Sequence, residues 1–189
     1  MLAFNISQFF PLLNHQLLPL IMDKAGFNWK FSIFFKNYLV KRKTKYLWNN
    51  FQSSSCSIDV NVGQGSALSP ILSALYLSLI FYILEKCLKI LKISILITSF
   101  VNDSLFISQN KSISHLNMNL FCSYSVISSP LTKFRLVVEH RKTKVFHFSR
   151  SHGAFNPPPL DLSAIGGPIL LPKASWQYLG FYFDQKLIF

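Results

Sequence analysis

Three short stretches of this chain hold the residues best suited to chemistry. The first is Val62-Gly63-Gln64-Gly65-Ser66-Ala67-Leu68-Ser69-Pro70. Its glycines let the backbone turn sharply or lie close against a partner, and Ser69-Pro70 suits a helix start. A polar loop fused to a buried helix can hold a ligand against a rigid floor; the plainer reading is a capped helix after a tight turn. The second is Lys41-Arg42-Lys43-Thr44-Lys45, flanked by Tyr38, Tyr46, Trp48 and Phe51. Cations bind phosphates and flat rings stack on bases, whereas a solvated basic loop is the plain alternative. The third is Asn102-Asp103, between two runs rich in β-formers, where a hairpin turn is expected.

Composition narrows the partners. The 189 residues suit one domain with a real core. Net charge is +12, with seven acids against nineteen Lys and Arg, and the isoelectric point is near 9.8. That balance favours nucleic acid or an anionic membrane surface. The three cysteines, Cys56, Cys87 and Cys122, are far apart and imply neither a disulfide framework nor a zinc site. The five histidines lack metalloprotease spacing. A reducing, intracellular location, nuclear or cytoplasmic, is expected, and the start shows no secretory signal. Mean hydropathy is +0.32, and residues 67 to 84 carry no charge, so a membrane protein built on 67–101 is a further reading. Serines at 66, 69, 73 and 78, and Glu85-Lys86 after them, argue against it.

The elements that must position these residues can be read in order. Leu2, Phe4 and Ile6 alternate with Ala3, Asn5 and Ser7, which predicts a strand. Asn14 caps a helix to about Ala25, Gly26 stops it, and a second helix spans Asn28 to Val40. Residues 57 to 62 alternate like an edge strand. The helix after Pro70 extends to Lys92. Residues 93 to 101 form a strand, Asn102-Asp103 the turn, and 104 to 108 the return. A helix covers Ser114 to Phe134, with a break expected near Ser129 because interior proline costs ~3 kcal/mol. Two strands, 136–139 and 144–148, are expected around His140-Arg141-Lys142-Thr143. An irregular connection over 151–168 leads to a strand at 176–183 with a glycine kink. The reading is α+β, one domain over 1–189.

This order of strand, helices, basic loop, Gly-Gln-Gly turn, long helix and hairpin resembles the palm of a reverse transcriptase, in the form found in fungal-type non-LTR retrotransposons. Phe4-Asn5-Ile6-Ser7-Gln8-Phe9-Phe10 falls at motif A. Gln64-Gly65-Ser66 resembles motif B, Phe100-Val101-Asn102-Asp103 motif C, Lys142-Thr143 motif D, and Tyr178-Leu179-Gly180 motif E, the primer grip. The resemblance implies a palm-like sheet backed by helices, here without fingers or thumb, and an ancestral RNA-directed DNA polymerase acting on RNA template, DNA primer and deoxynucleotides. It implies that Gln64, Gly65 and Ser66 contact template and nucleotide, that Phe10 is the aromatic gate, and that Lys142 approaches the triphosphate. Lys41, Arg42, Lys43 and Lys45 would bind nucleic acid.

The family's chemistry needs Mg²⁺ held by one motif A aspartate and a motif C pair. This chain has Asn5 and Asn102 at two of those positions, and only Asp103 keeps its charge. If each loss costs ~3 kcal/mol in the transition state, the combined penalty is ~10⁴-fold or worse. The expectation is therefore a catalytically dead copy in which Asp103 holds metal weakly if at all. Lys144, where the family has an acid, is a further departure. The competing function is a non-catalytic nucleic-acid-binding module.

Overall fold

The structure is a computed structural model and describes residues 1–58, 66–149 and 156–186. In chain order its elements begin with β1 (Leu2–Ser7), α1 (Phe9–Leu12), α2 (Leu17–Lys24) and α3 (Trp29–Leu39). Four two-residue strands follow: β2 (Lys43–Thr44), β3 (Leu47–Trp48), β4 (Phe51–Gln52) and β5 (Cys56–Ser57). Next come α4 (Ser69–Ile90), β6 (Leu96–Phe100), β7 (Asp103–Ile107), α5 (Ile113–Lys133) and β8 (Val137–Val145). The last part holds β9 (Leu160–Asp161), a 3-10 turn at Ser163–Ile165, β10 (Ile169–Leu170), β11 (Ser175–Tyr178) and β12 (Phe181–Asp184). The fold class is α+β, as the apolar pattern predicts.

The chain forms two compact units, one of Met1–Ser7, Ile83–Lys133 and Val137–Phe189, the other of Gln8–Tyr82 and Phe134–Leu136. The first is built on an antiparallel sheet of order β6-β7-β1-β8. β1 lies inside it, with Leu2, Phe4 and Ile6 buried on one side and Ala3 on the other. Phe4 meets Phe106 at 4.7 Å between ring centres and Tyr124 of α5 edge-on at 6.0 Å. Ala3 joins Leu105, Phe146 and Trp176 in a second buried cluster. Successive residues on a strand face opposite ways, so Asn5 shares Ala3's side of the sheet.

Four expectations are corrected within this unit. The β6–β7 turn is Val101-Asn102, not Asn102-Asp103: Phe100 pairs with Asp103, which begins β7. Leu105 packs with Ala3 and Trp176 on one face and Phe106 with Phe4 on the other, and a slip by one would exchange them between unlike surroundings, so packing fixes the register. The expected strand pair around 140–143 is one strand, β8, with a bulge. β1 advances two residues from Ala3 to Asn5 while β8 runs five, from Lys144 back to Glu139. Pro130 does not break α5, which runs on to Lys133. The proline sits in the last turn, and Ile127, Pro130 and Leu131 are buried there together. Finally, 176–183 is a hairpin and not a kinked strand: β11 pairs with β12 around Leu179-Gly180. Both turn residues have positive φ, 48° and 87°, the pattern of a two-residue type I′ turn.

In the second unit, Asn14 Oδ1 accepts from the backbone N–H groups of Gln16 and Leu17 at 2.8 and 3.3 Å, starting α2. Gly26 ends the segment at φ 79°, and Asn28 Oδ1 caps α3 by accepting from Lys30 N at 2.9 Å. β2 pairs with β5, and β3 with β4. The expected edge strand at 57–62 falls mostly outside the described residues.

α4 carries a buried stripe of Leu72, Tyr76, Leu77, Ile80, Leu84 and Leu88, the spacing of a core-facing helix. Among the described residues it is the one helix long and apolar enough to cross a membrane.

Candidate functional site

The sheet register brings Asn5, Asn102 and Asp103 together. Asn5 and Asp103 are directly paired across β1 and β7. Asn5 Nδ2 donates to Asp103 Oδ1 at 2.6 Å, and Asn102 Nδ2 donates to Asn5 Oδ1 at 3.1 Å. The Ile6 N–H also donates to Asn102 O at 2.9 Å, tying the hairpin turn to β1. The direction of the chain is dictated by chemistry. An ionised carboxylate only accepts, so Asn5 presents its amide N–H₂ to Asp103 and its oxygen to Asn102.

Asn5 and Asp103 open into a cleft of about 410 Å³ that is lined also by Arg141, Lys142, Lys144, Trp176, Tyr178 and Leu179. The three cations come from the β8 bulge or its edge. The bulge is pinned from α5: Tyr124 hydroxyl lies 2.8 Å from His140 Nδ1 and 3.2 Å from Thr143 Oγ1. Thr143 Oγ1 in turn donates to Glu139 O at 3.3 Å. β11 supplies the opposite wall, where Trp176 and Tyr178 rings pack at 5.2 Å. Burial, and secondarily the Asp103 charge, push the Tyr178 phenol above its ordinary value, so it stays a hydrogen-bond donor at neutral pH. One carboxylate against three cations gives the cleft a positive lining that favours anions.

Of the other expected site residues, Lys142, Tyr178 and Leu179 line this cleft, and Gly180 forms the adjoining turn. Phe10 belongs to the second unit, half-buried in α1 with Phe9 as its ring neighbour at 5.8 Å. Gln64 and Gly65 lie outside the described residues. Ser66 Oγ accepts from Leu68 N at 3.3 Å and stands 3.4 Å from the Tyr38 hydroxyl. Lys41, Arg42, Lys43 and Lys45 all lie in the second unit, Lys43 in β2, and the Arg42 guanidinium sits 5.7 Å over the Tyr38 ring.

Sequence reasoning missed Arg141, Lys144 and Trp176 as cleft residues. Lys144 was visible only as a departure from the family pattern, and nothing in the local pattern marks the bulge that aims Arg141. Among the described residues no group of three or more His, Cys, Asp or Glu side chains is arranged to hold a metal ion. A scan against protein-family models gave no match, and a search of curated proteins gave none either.

Proposed function

We propose that this chain is a reverse transcriptase palm of the non-LTR retrotransposon kind that no longer polymerises. Its ancestral reaction adds deoxynucleotides to a DNA primer on an RNA template; this copy binds nucleic acid through a basic cleft without performing the chemistry. The observation that carries the reading is the hydrogen-bonded run Asn102–Asn5–Asp103. Side chains separated by 97 and 98 positions meet, and the resemblance asks for such a meeting of its motif A and motif C positions. The antiparallel sheet β6-β7-β1-β8, and the shared cleft of Lys142, Tyr178 and Leu179, support it further.

The residues do not fit a pair of Mg²⁺ ions. Mg²⁺ is held through carboxylates and ordered oxygens in near-octahedral geometry. Here one carboxylate remains, and both Asp103 Oδ1 and Asn5 Oδ1 already accept amide N–H groups. The neighbouring cations Arg141, Lys142 and Lys144 repel a divalent cation and attract phosphate instead.

Two measurements on the purified chain test this. Primer extension on an RNA template with Mg²⁺ or Mn²⁺ is expected to give no product; extension that disappears in Asp103→Ala would overturn the inactive reading. Calorimetric Mn²⁺ titration of Asn5→Asp/Asn102→Asp is expected to reveal binding absent from the parent. A folded double variant with no affinity for the ion would overturn the palm reading itself.

A further inference from the structure

The second unit carries a feature that the cleft does not use. Residues 24 to 58 contain seven Lys and Arg and no Asp or Glu. Within this stretch the β3–β4 hairpin turns over Asn49-Asn50, with Asn49 at φ 51°, and pairs Trp48 with Phe51. The pairing extends one step further, because Ser53 N donates to Tyr46 O at 3.0 Å and Tyr46 N donates to Ser53 Oγ at 2.9 Å. By strand alternation, Tyr46, Trp48 and Phe51 therefore stand on one face of the hairpin. They are 70%, 76% and 66% exposed. None of the three rings has an aromatic contact among the described residues, whereas Tyr38, nearby in sequence, stacks on Phe34 at 6.4 Å. Exposing three large rings to water on a two-residue ladder is costly unless something covers them.

We infer that this hairpin face is a stacking platform for single-stranded nucleic acid, separate from the cleft. Tyr46 and Trp48, two residues apart on one strand, are about 7 Å apart, a step that successive bases of an extended polynucleotide can match, and Phe51 stands across the ladder from Trp48 at about 5 Å and widens the platform. Lys41, Lys43 and Lys45 lie on the same connection and supply charge for the backbone, within a stretch from 24 to 58 that holds no acid. An anionic membrane is the other surface such a composition could meet. Ser53 shares the face with the rings, Asn49 and Asn50 close it at the turn, and Lys45 and Gln52 stand with Leu47 on the opposite face, so polar groups border the three rings on every side and would be carried into an acyl layer with them. The inference holds whether or not the polymerase ancestry does.

Fluorescence anisotropy of the full chain with labelled oligothymidylate tests it. Trp48→Ala/Phe51→Ala is expected to weaken binding by about tenfold per ring with an unchanged salt slope. Lys41→Ala/Lys43→Ala is expected to lower that slope by about 1.4, and Trp48→Phe to restore most of the affinity lost by Trp48→Ala. Lys142→Ala, in the cleft, should leave the effect of Trp48→Ala intact, which separates this surface from the cleft. Equal affinity of the parent and the aromatic variant would overturn the inference. So would equal affinity for duplex of the same length, or binding to phosphatidylserine vesicles with no binding to the oligonucleotide.

Discussion

Asn5 and Asp103 occupy directly opposed positions on adjacent strands, and the amide of one donates to the carboxylate of the other at 2.6 Å. That short bond is available only because position 5 is an amide. Asn5→Asp puts two carboxylates at the same separation, and like charges so close do not both ionise. The substitution is expected to cost about 2 kcal/mol at pH 7.5 and lower Tm by about 4–8 °C. Millimolar Mn²⁺ should return most of that loss in Asn5→Asp while leaving the parent's Tm unchanged. Thermal unfolding with and without the ion reads both.

The β8 bulge depends on one hydroxyl. Tyr124 reaches His140 and Thr143 together from α5, and its ring is packed edge-on against Phe4. Tyr124→Phe keeps the ring and removes the hydroxyl. A loss of about 1–2 kcal/mol is expected from urea unfolding, together with weaker oligonucleotide binding as Arg141 and Lys142 lose their support.

His147 is almost fully buried. Burial, and to a lesser degree the charged amino terminus of the chain, lower its pKa from 6.5 to about 4. The unfolded chain therefore takes up a proton near pH 6.5 that the folded chain refuses until about pH 4. The contribution of His147 is complete above pH 6.5 and falls as pH drops towards 4, by roughly 2–3 kcal/mol. Urea unfolding at pH 7.5 and pH 4.5 should show that decrement in the parent and a correspondingly smaller one in His147→Phe.

Val101, at the β6–β7 turn, has φ 56°. A β-branched residue is strained in that left-handed region, where asparagine is tolerated. Val101→Asn is expected to stabilise the chain by about 1 kcal/mol, seen as a rise in Tm of about 2–4 °C. An unchanged or lower Tm would mean that the valine side chain supplies packing worth more than the strain.

Local chemistry made much of the fold readable before any coordinates. The alternation of Leu2, Phe4 and Ile6 marks β1, and Asn14, Gly26 and Asn28 bracket two helices through their own side chains and backbone freedom. The features that escaped are ones that neighbours decide. The bulge at 140–143 exists because β1 and β8 align on both sides of it, which no window of β8 alone reveals. Pro130 stays helical because the buried face of α5 outweighs its local penalty in the final turn. Leu179-Gly180 makes a hairpin because two consecutive positive φ values follow the demands of pairing, and leucine does not announce such a conformation.

The candidate site divides in the same way. The meeting of Asn5, Asn102 and Asp103 was expected from the resemblance alone, whereas the cationic lining from Arg141 and Lys144 was not expected.

The bulge has one more consequence. Arg141 and Lys142 stand exposed between two registered segments, while His140 and Thr143 beside them are held from α5. Recharging those two exposed positions therefore leaves the ladder on either side intact, so the charge of the cleft can be altered separately from the sheet that carries it.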